Sequence, residues 1–161
     1  MKRLLIVTLS FTFAITTAFS ATPIKRTIAG VPFGASVSQV LKKYPEAKRQ
    51  ENIIGWQELA IYDIAFAGEK WDIVSFTFRN RRMYQVHFLK HFSEEDAAEY
   101  LYNELSIRLL KKYKSYYQSL DNSSMCLFYD NQTTIGLSVS SDNVHLDYKD
   151  DLSTLKFDKE L

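Results

Sequence analysis

The 161-residue chain carries three histidines, His87, His91 and His145, a single cysteine, Cys126, and aspartates at strand-like positions, Asp63, Asp72 and Asp147. These are the side chains able to relay a proton, hold a metal or attack a carbonyl. His87 and His91 stand four apart, which on a helix would put two ligands on one face. The residues around them alternate instead. Tyr84, Val86 and Phe88 form one side of a strand, and Gln85, His87 and Leu89 form the other, with His91 expected beyond the strand end. This makes His87 a half-exposed histidine on a sheet face. No H-E-x-x-H, paired cysteine or Asp-rich calcium loop is present, so no metal or cofactor is expected. Asp63, Asp72 and Asp147 could form a carboxylate cluster, although strand carboxylates more often solubilise a face or protect an edge. A hydrolase would need two or more of Asp63, Asp72, His87, His145 and Asp147 within hydrogen-bond reach in a cleft. Cys126 is set in Met125-Cys126-Leu127-Phe128-Tyr129, an apolar strand pattern that predicts a buried, inert thiol. There is no G-x-S-x-G elbow, and the five glycines are scattered, so no phosphate cradle is encoded. Nothing here is a catalytic signature, and the pattern favours binding over catalysis.

The elements that must carry these residues follow a simple order. Ser36 and Gln39 form a capping box, and Val37, Val40, Leu41 and Tyr44 lie on one helical face that Pro45 ends. Residues 46–52 are charged and expected to be a loop. Strand patterns run over Leu59–Phe66, Trp71–Arg79 and Met83–Leu89, joined by the turns at Ala67–Lys70 and Asn80–Arg82. Leu59 and Ile61 are expected on one face of the first strand, with Tyr62, Ile64 and Phe66 on the other. Ser93 should cap a second helix together with Asp96, with Glu94 and Glu95 suiting its N-terminus and Arg108 to Lys114 its C-terminus. A polar connection over Tyr116–Ser124 leads to three more strands at Met125–Tyr129, Thr133–Val139 and Val144–Tyr148, followed by a charged tail. The expectation is an α+β fold in α-βββ-α-βββ order, about six antiparallel strands with two helices on one face. Its core is predicted from Val37, Val40, Leu41, Tyr44, Val74, Phe76, Phe78, Val86, Phe88, Leu101, Leu105 and Leu109.

The second helix has an irregular feature. At 100° per residue, Leu101, Leu105 and Leu109 fall within about 80° of one another. Tyr100, Ile107 and Leu110 lie on the far side, where a surface helix is normally polar. These three are the candidate partner-binding residues, unless Leu152, Leu155 and Phe157 of the chain's own tail cover them.

Residues 1–20 read as a signal peptide. Lys2 and Arg3 precede an apolar run interrupted by Thr and Ser, and Ala18-Phe19-Ser20 offers small residues for cleavage before Ala21. Residues 21–161 then form a single exported α+β domain with no further transmembrane segment, periplasmic or secreted. The lone cysteine leaves stability to the hydrophobic core, since no internal disulfide is possible. Removing Lys2 and Arg3 leaves 18 Lys+Arg against 19 Asp+Glu, a net charge near −1. A near-neutral domain has no general attraction for nucleic acid.

The stretch Ile28-Ala29-Gly30-Val31-Pro32-Phe33-Gly34-Ala35-Ser36 resembles the opening of small exported bacterial envelope proteins of the β-lactamase-inhibitor-like and outer-membrane-assembly-lipoprotein type. In these, a G-[IV]-x-[FL]-G-x-[ST] turn leads into a short capped helix and then strands. The chain departs from them in having no lipobox cysteine and no disulfides, and no site residue is carried over. The resemblance implies a non-enzymatic envelope protein that binds a protein partner or a small ligand. The alternative is a periplasmic hydrolase with an unmarked Asp/His site.

Overall fold

A computed structural model describes residues 22–51, 57–118 and 124–152. The predicted signal peptide lies outside the described residues, as do Leu155 and Phe157 of the tail.

A left-handed turn at Ala29 and Gly30 (φ 48° and 71°) folds β1 (Thr27–Ile28) back on β2 (Val31–Pro32). Gly34 N–H then donates to Met83 O, and Met83 N–H donates to Ala35 O, both at 2.8 Å. These bonds seat the start of helix α1 (Val37–Lys43) on the sheet. The capping box forms as expected, with Ser36 N–H donating to Gln39 Oε1 at 2.8 Å and Gln39 N–H to Ser36 Oγ at 3.4 Å. Helix α2 spans Glu95–Tyr113 and does not use the predicted Ser93 cap. Its N-cap is Glu94, in extended backbone and with no side-chain cap bond. Glu95 and Asp96 in the first turn, and Lys111 and Lys112 in the last, supply charges that suit the helix dipole.

The remaining elements are β3 (Lys48–Glu51), β4 (Gln57–Phe66), β5 (Glu69–Arg79), β6 (Arg82–His91), β7 (Tyr117–Gln118), β8 (Met125–Tyr129), β9 (Thr133–Ser140) and β10 (Asn143–Asp150). They form one antiparallel sheet in the order β3-β4-β5-β6-β10-β9-β8-β7. The class is α+β as predicted, but the main sheet has eight strands rather than six. The additional β3 and β7 are its two edges. They pair on one side only and carry polar or exposed residues, so no apolar alternation marked them in the sequence. The order is four strands in chain order followed by four in reverse, each set led by a helix. The two sets meet where β6 pairs with β10 from Gln85↔Lys149 to His91↔Asn143.

Residues directly opposite across antiparallel strands point to the same side, so register defines the faces. One row reads Leu59, Phe76, Val86, Tyr148, Ile135 and Phe128. Tyr44 at the end of α1 stacks near Phe76, with ring centroids 5.7 Å apart, and Tyr113 at the end of α2 lies near Phe128 at 6.5 Å. Both helices therefore cover the same face, as predicted. Of the twelve expected core residues, Val37, Leu41 and Tyr44 are only partly buried and pack at its margin. The other nine are buried.

Two departures sit in the strands. Asp63 takes a left-handed conformation (φ 58°), which reverses the side to which the following residues point. Phe66 therefore stacks on Phe88 at 4.4 Å, on the same side as Leu59 and Ile61 rather than opposite them. A register shift at Thr77/Phe78 places Met83, not Tyr84, opposite Phe78. Across the layers, Arg108 of α2 donates to Glu69 Oε1 at 2.7 Å and to Ala67 O at 3.0 Å, and Lys90 Nζ reaches Glu69 Oε2 at 3.4 Å.

Two residues of α2 separated by one position give opposite outcomes. Leu105→Ala should lower unfolding free energy by about 2–5 kcal/mol, because the buried side chain leaves a cavity. Ile107→Glu, at an exposed position, should stay within about 0.5 kcal/mol of wild type in urea titrations. A second expectation concerns acid. The Arg108 hydrogen bond, opposed by burial and aided by Lys90, holds the Glu69 carboxyl below its ordinary value. A depressed carboxyl stabilises the fold above its unfolded value and loses that contribution as pH falls through the folded one. Glu69→Gln should therefore flatten the acid limb of the stability–pH curve while leaving its neutral-to-alkaline shape unchanged.

Candidate functional site

The second face of the sheet has no helix over it among the described residues. Its central row is Ala60, Ser75, His87, Asp147, Gly136 and Leu127. Three of these are small and buried, so the row is low except for His87 and Asp147 at the seam and Leu127 at one end. The next row is Tyr62, Ile73, Leu89, His145, Ser138 and Met125, with Tyr62 and Met125 exposed toward either side of the sheet.

At the centre, His87 Nδ1 lies 2.9 Å from Asp147 Oδ1, and Gln85 Nε2 donates to the same oxygen at 2.9 Å. His87 Nε2 faces His145 Nδ1 at 3.4 Å, with ring centroids 5.3 Å apart. Asp147, an acceptor, fixes the proton of His87 on Nδ1 and turns Nε2 toward His145. Burial would raise the Asp147 carboxyl, but the hydrogen bond and charge of His87, with Gln85 and His145, outweigh it and hold it below its ordinary value. Burial, followed by the charge of His87, pushes the His145 imidazole below its ordinary value against the opposing pull of Asp147.

Three of the five sequence-named residues, His87, His145 and Asp147, are thus brought together. Asp63 and Asp72 are not, so the three aspartates do not form a cluster. Asp63 pairs with Lys70 at 2.8 Å in solvent, and Asp72 Oδ2 accepts from His91 N–H at 2.7 Å. His91 lies within β6 rather than beyond it, on the same face as His87, and meets Asn143 Oδ1 at 3.3 Å and Asp142 Oδ2 at 3.3 Å. Gln85 is a member of the cluster that sequence reasoning placed beside His87 without giving it a role. Its sole signal was its period-two position.

Among the described residues no hydroxyl or thiol is hydrogen-bonded to the His87 or His145 ring. Ser75 stands opposite His87 in register but is buried without reaching it. Cys126 belongs to the helix face, opposite Leu137, so the sheet separates it from both histidines. Burial raises its thiol despite the Tyr102 hydrogen bond, and Tyr102 is itself pushed up to about 12, first by burial and then by Cys126. The predicted buried thiol is what the structure shows. No group of three or more His, Cys, Asp or Glu side chains gathers as a metal cage among the described residues. No helix among them is long and apolar enough to cross a membrane.

On α2, Tyr100 and Ile107 are exposed, while Leu110 is partly buried against the core. Leu152 is exposed in its turn, and nothing among the described residues covers the two apolar side chains.

No protein-family model, curated protein or solved structure matches this chain.

Two titrations check the site. In histidine NMR, His145 should titrate below the ordinary imidazole value of about 6.5, and removing the neighbouring imidazole by His87→Gln should raise it. Cys126 should resist a thiol reagent in the native protein and react at once in denaturant.

Proposed function

We propose that the protein is an exported, non-catalytic binding module of the bacterial cell envelope, engaging its ligand or partner through the face of the sheet that no described helix covers. One observation carries this reading. Among the described residues two helices cover one side of an eight-stranded sheet and none covers the other, whose seam carries the half-buried His87 and Asp147, with exposed Tyr62 and Met125 in the adjacent row. A surface that combines fixed polar groups with aromatic and Met contacts has the makeup of a recognition face. The signal-peptide pattern and the resemblance to exported envelope proteins support the location.

The Asp147–His87–His145 chain favours a second reading, hydrolysis, since a carboxylate-oriented imidazole can activate water. Against it stands the position of these three side chains on a face that no described helix covers, with no nucleophilic side chain among the described residues bonded to either imidazole.

A photo-crosslinking amino acid at Tyr62 or Met125 of the full-length chain, expressed in a bacterial envelope, should give discrete adducts. The same group at Tyr100 or Ile107 is the comparison. Adducts from α2 alone, or turnover of ester or phosphoester probes that His145→Ala abolishes, would displace the binding reading.

A further inference from the structure

We infer that the His87–His145 pair is a two-histidine site for a divalent transition-metal cation of the zinc class, with Asp147 as the carboxylate that orients one ligand. The argument begins with the proton on His87. Asp147 Oδ1 at 2.9 Å holds that proton on Nδ1, so the Nε2 lone pair faces His145 Nδ1 and accepts from it at 3.4 Å. A metal-bound histidine ordinarily gives its other N–H to a carboxylate in this way, which fixes the tautomer and strengthens the ligand. Gln85 holds the same carboxylate oxygen from the other side. His87 is thus positioned before any cation arrives.

The separation of the two nitrogens also fits. They are 3.4 Å apart, and zinc–nitrogen bonds of about 2.05 Å from each would subtend an angle of about 110°, close to tetrahedral. The contact is long for a hydrogen bond between two imidazoles, so giving up the shared proton to a cation costs little. Borderline-soft cations such as zinc, copper and nickel prefer imidazole, whereas calcium and magnesium require oxygen ligands. Two protein ligands leave two tetrahedral positions open to the uncovered face, for water or for a donor atom of whatever binds there. Backbone pairing explains why both rings converge. His87 and His145 lie one step to either side of the Phe88↔Leu146 pair, at equivalent places in β6 and β10. The metal site stands on this geometry alone and does not require the partner reading.

Isothermal titration of the full-length, untagged, metal-stripped chain with zinc chloride should show one equivalent bound. His87→Ala or His145→Ala should abolish it, and Asp147→Asn should weaken it about 10- to 100-fold. His91→Ala, on the same face, should keep it. Histidine 15N NMR of the wild-type chain tests the ligands without any substitution, since zinc should shift His87 Nε2 and His145 Nδ1 and leave His91 in place. No binding by the wild type, binding that survives both alanine variants, or shifts confined to His91 would overturn the site.

Discussion

The pairing of β6 with β10 is the interaction on which the rest of this structure depends. Among the described strands it is the one ladder that joins the first helix-and-strands set to the second, and it puts Val86 opposite Tyr148 and Phe88 opposite Leu146. Those side chains continue the apolar rows of both sets, so one core runs beneath both helices. A slip of one residue along this ladder would turn every apolar residue of one half toward water. The same ladder sets His87 opposite Asp147. The core and the polar site are therefore two faces of one register, and neither can be changed without the other.

Further contacts stitch the halves together away from the seam. Arg26, just before β1, reaches Asp150 Oδ1 at 2.7 Å and Gln132 O at 3.1 Å, and Ile24 N–H donates to Asp130 Oδ2 at 2.9 Å. The lead-in to the first helix is thereby tied to the β8–β9 turn and the end of β10. Asp150 is a buried carboxylate, and an opposite charge with good geometry is what makes such burial tolerable. On the helix side, Glu69 gathers Arg108 and Lys90 and fixes α2 against the β4–β5 turn. These pairs act as positional ties between layers whose main cohesion is apolar.

A sheet whose helices, among the described residues, all lie on one side has consequences for binding. The covered side spends its large residues on the core, while the uncovered side keeps small ones, Ala60, Ser75 and Gly136, along the row that contains His87 and Asp147. Ser75 and Thr77 are nearly as buried as core residues although no helix among the described residues lies over them. On this face the Asp147 carboxylate is held by two fixed partners, His87 and Gln85, which makes it part of a rigid surface for recognition.

Short-range chemistry was legible in the sequence. The Ser36/Gln39 box, the Pro45 stop, the alternating strands and the apolar stripe of Leu101, Leu105 and Leu109 are local patterns, and each was read from neighbours within a few positions. The side of the sheet on which His87 lies was legible for the same reason. Edge strands β3 and β7 were not, because a strand paired on one side needs no apolar alternation. The reversal at Asp63 was hidden too, since a left-handed residue breaks the period of two that placed Phe66 on the wrong side. The Asp147–His87–His145 cluster belongs wholly to tertiary structure. His87 stands 58 residues from His145 and 60 from Asp147 in the chain, and only the register of β6 on β10 brings it within hydrogen-bond reach of them.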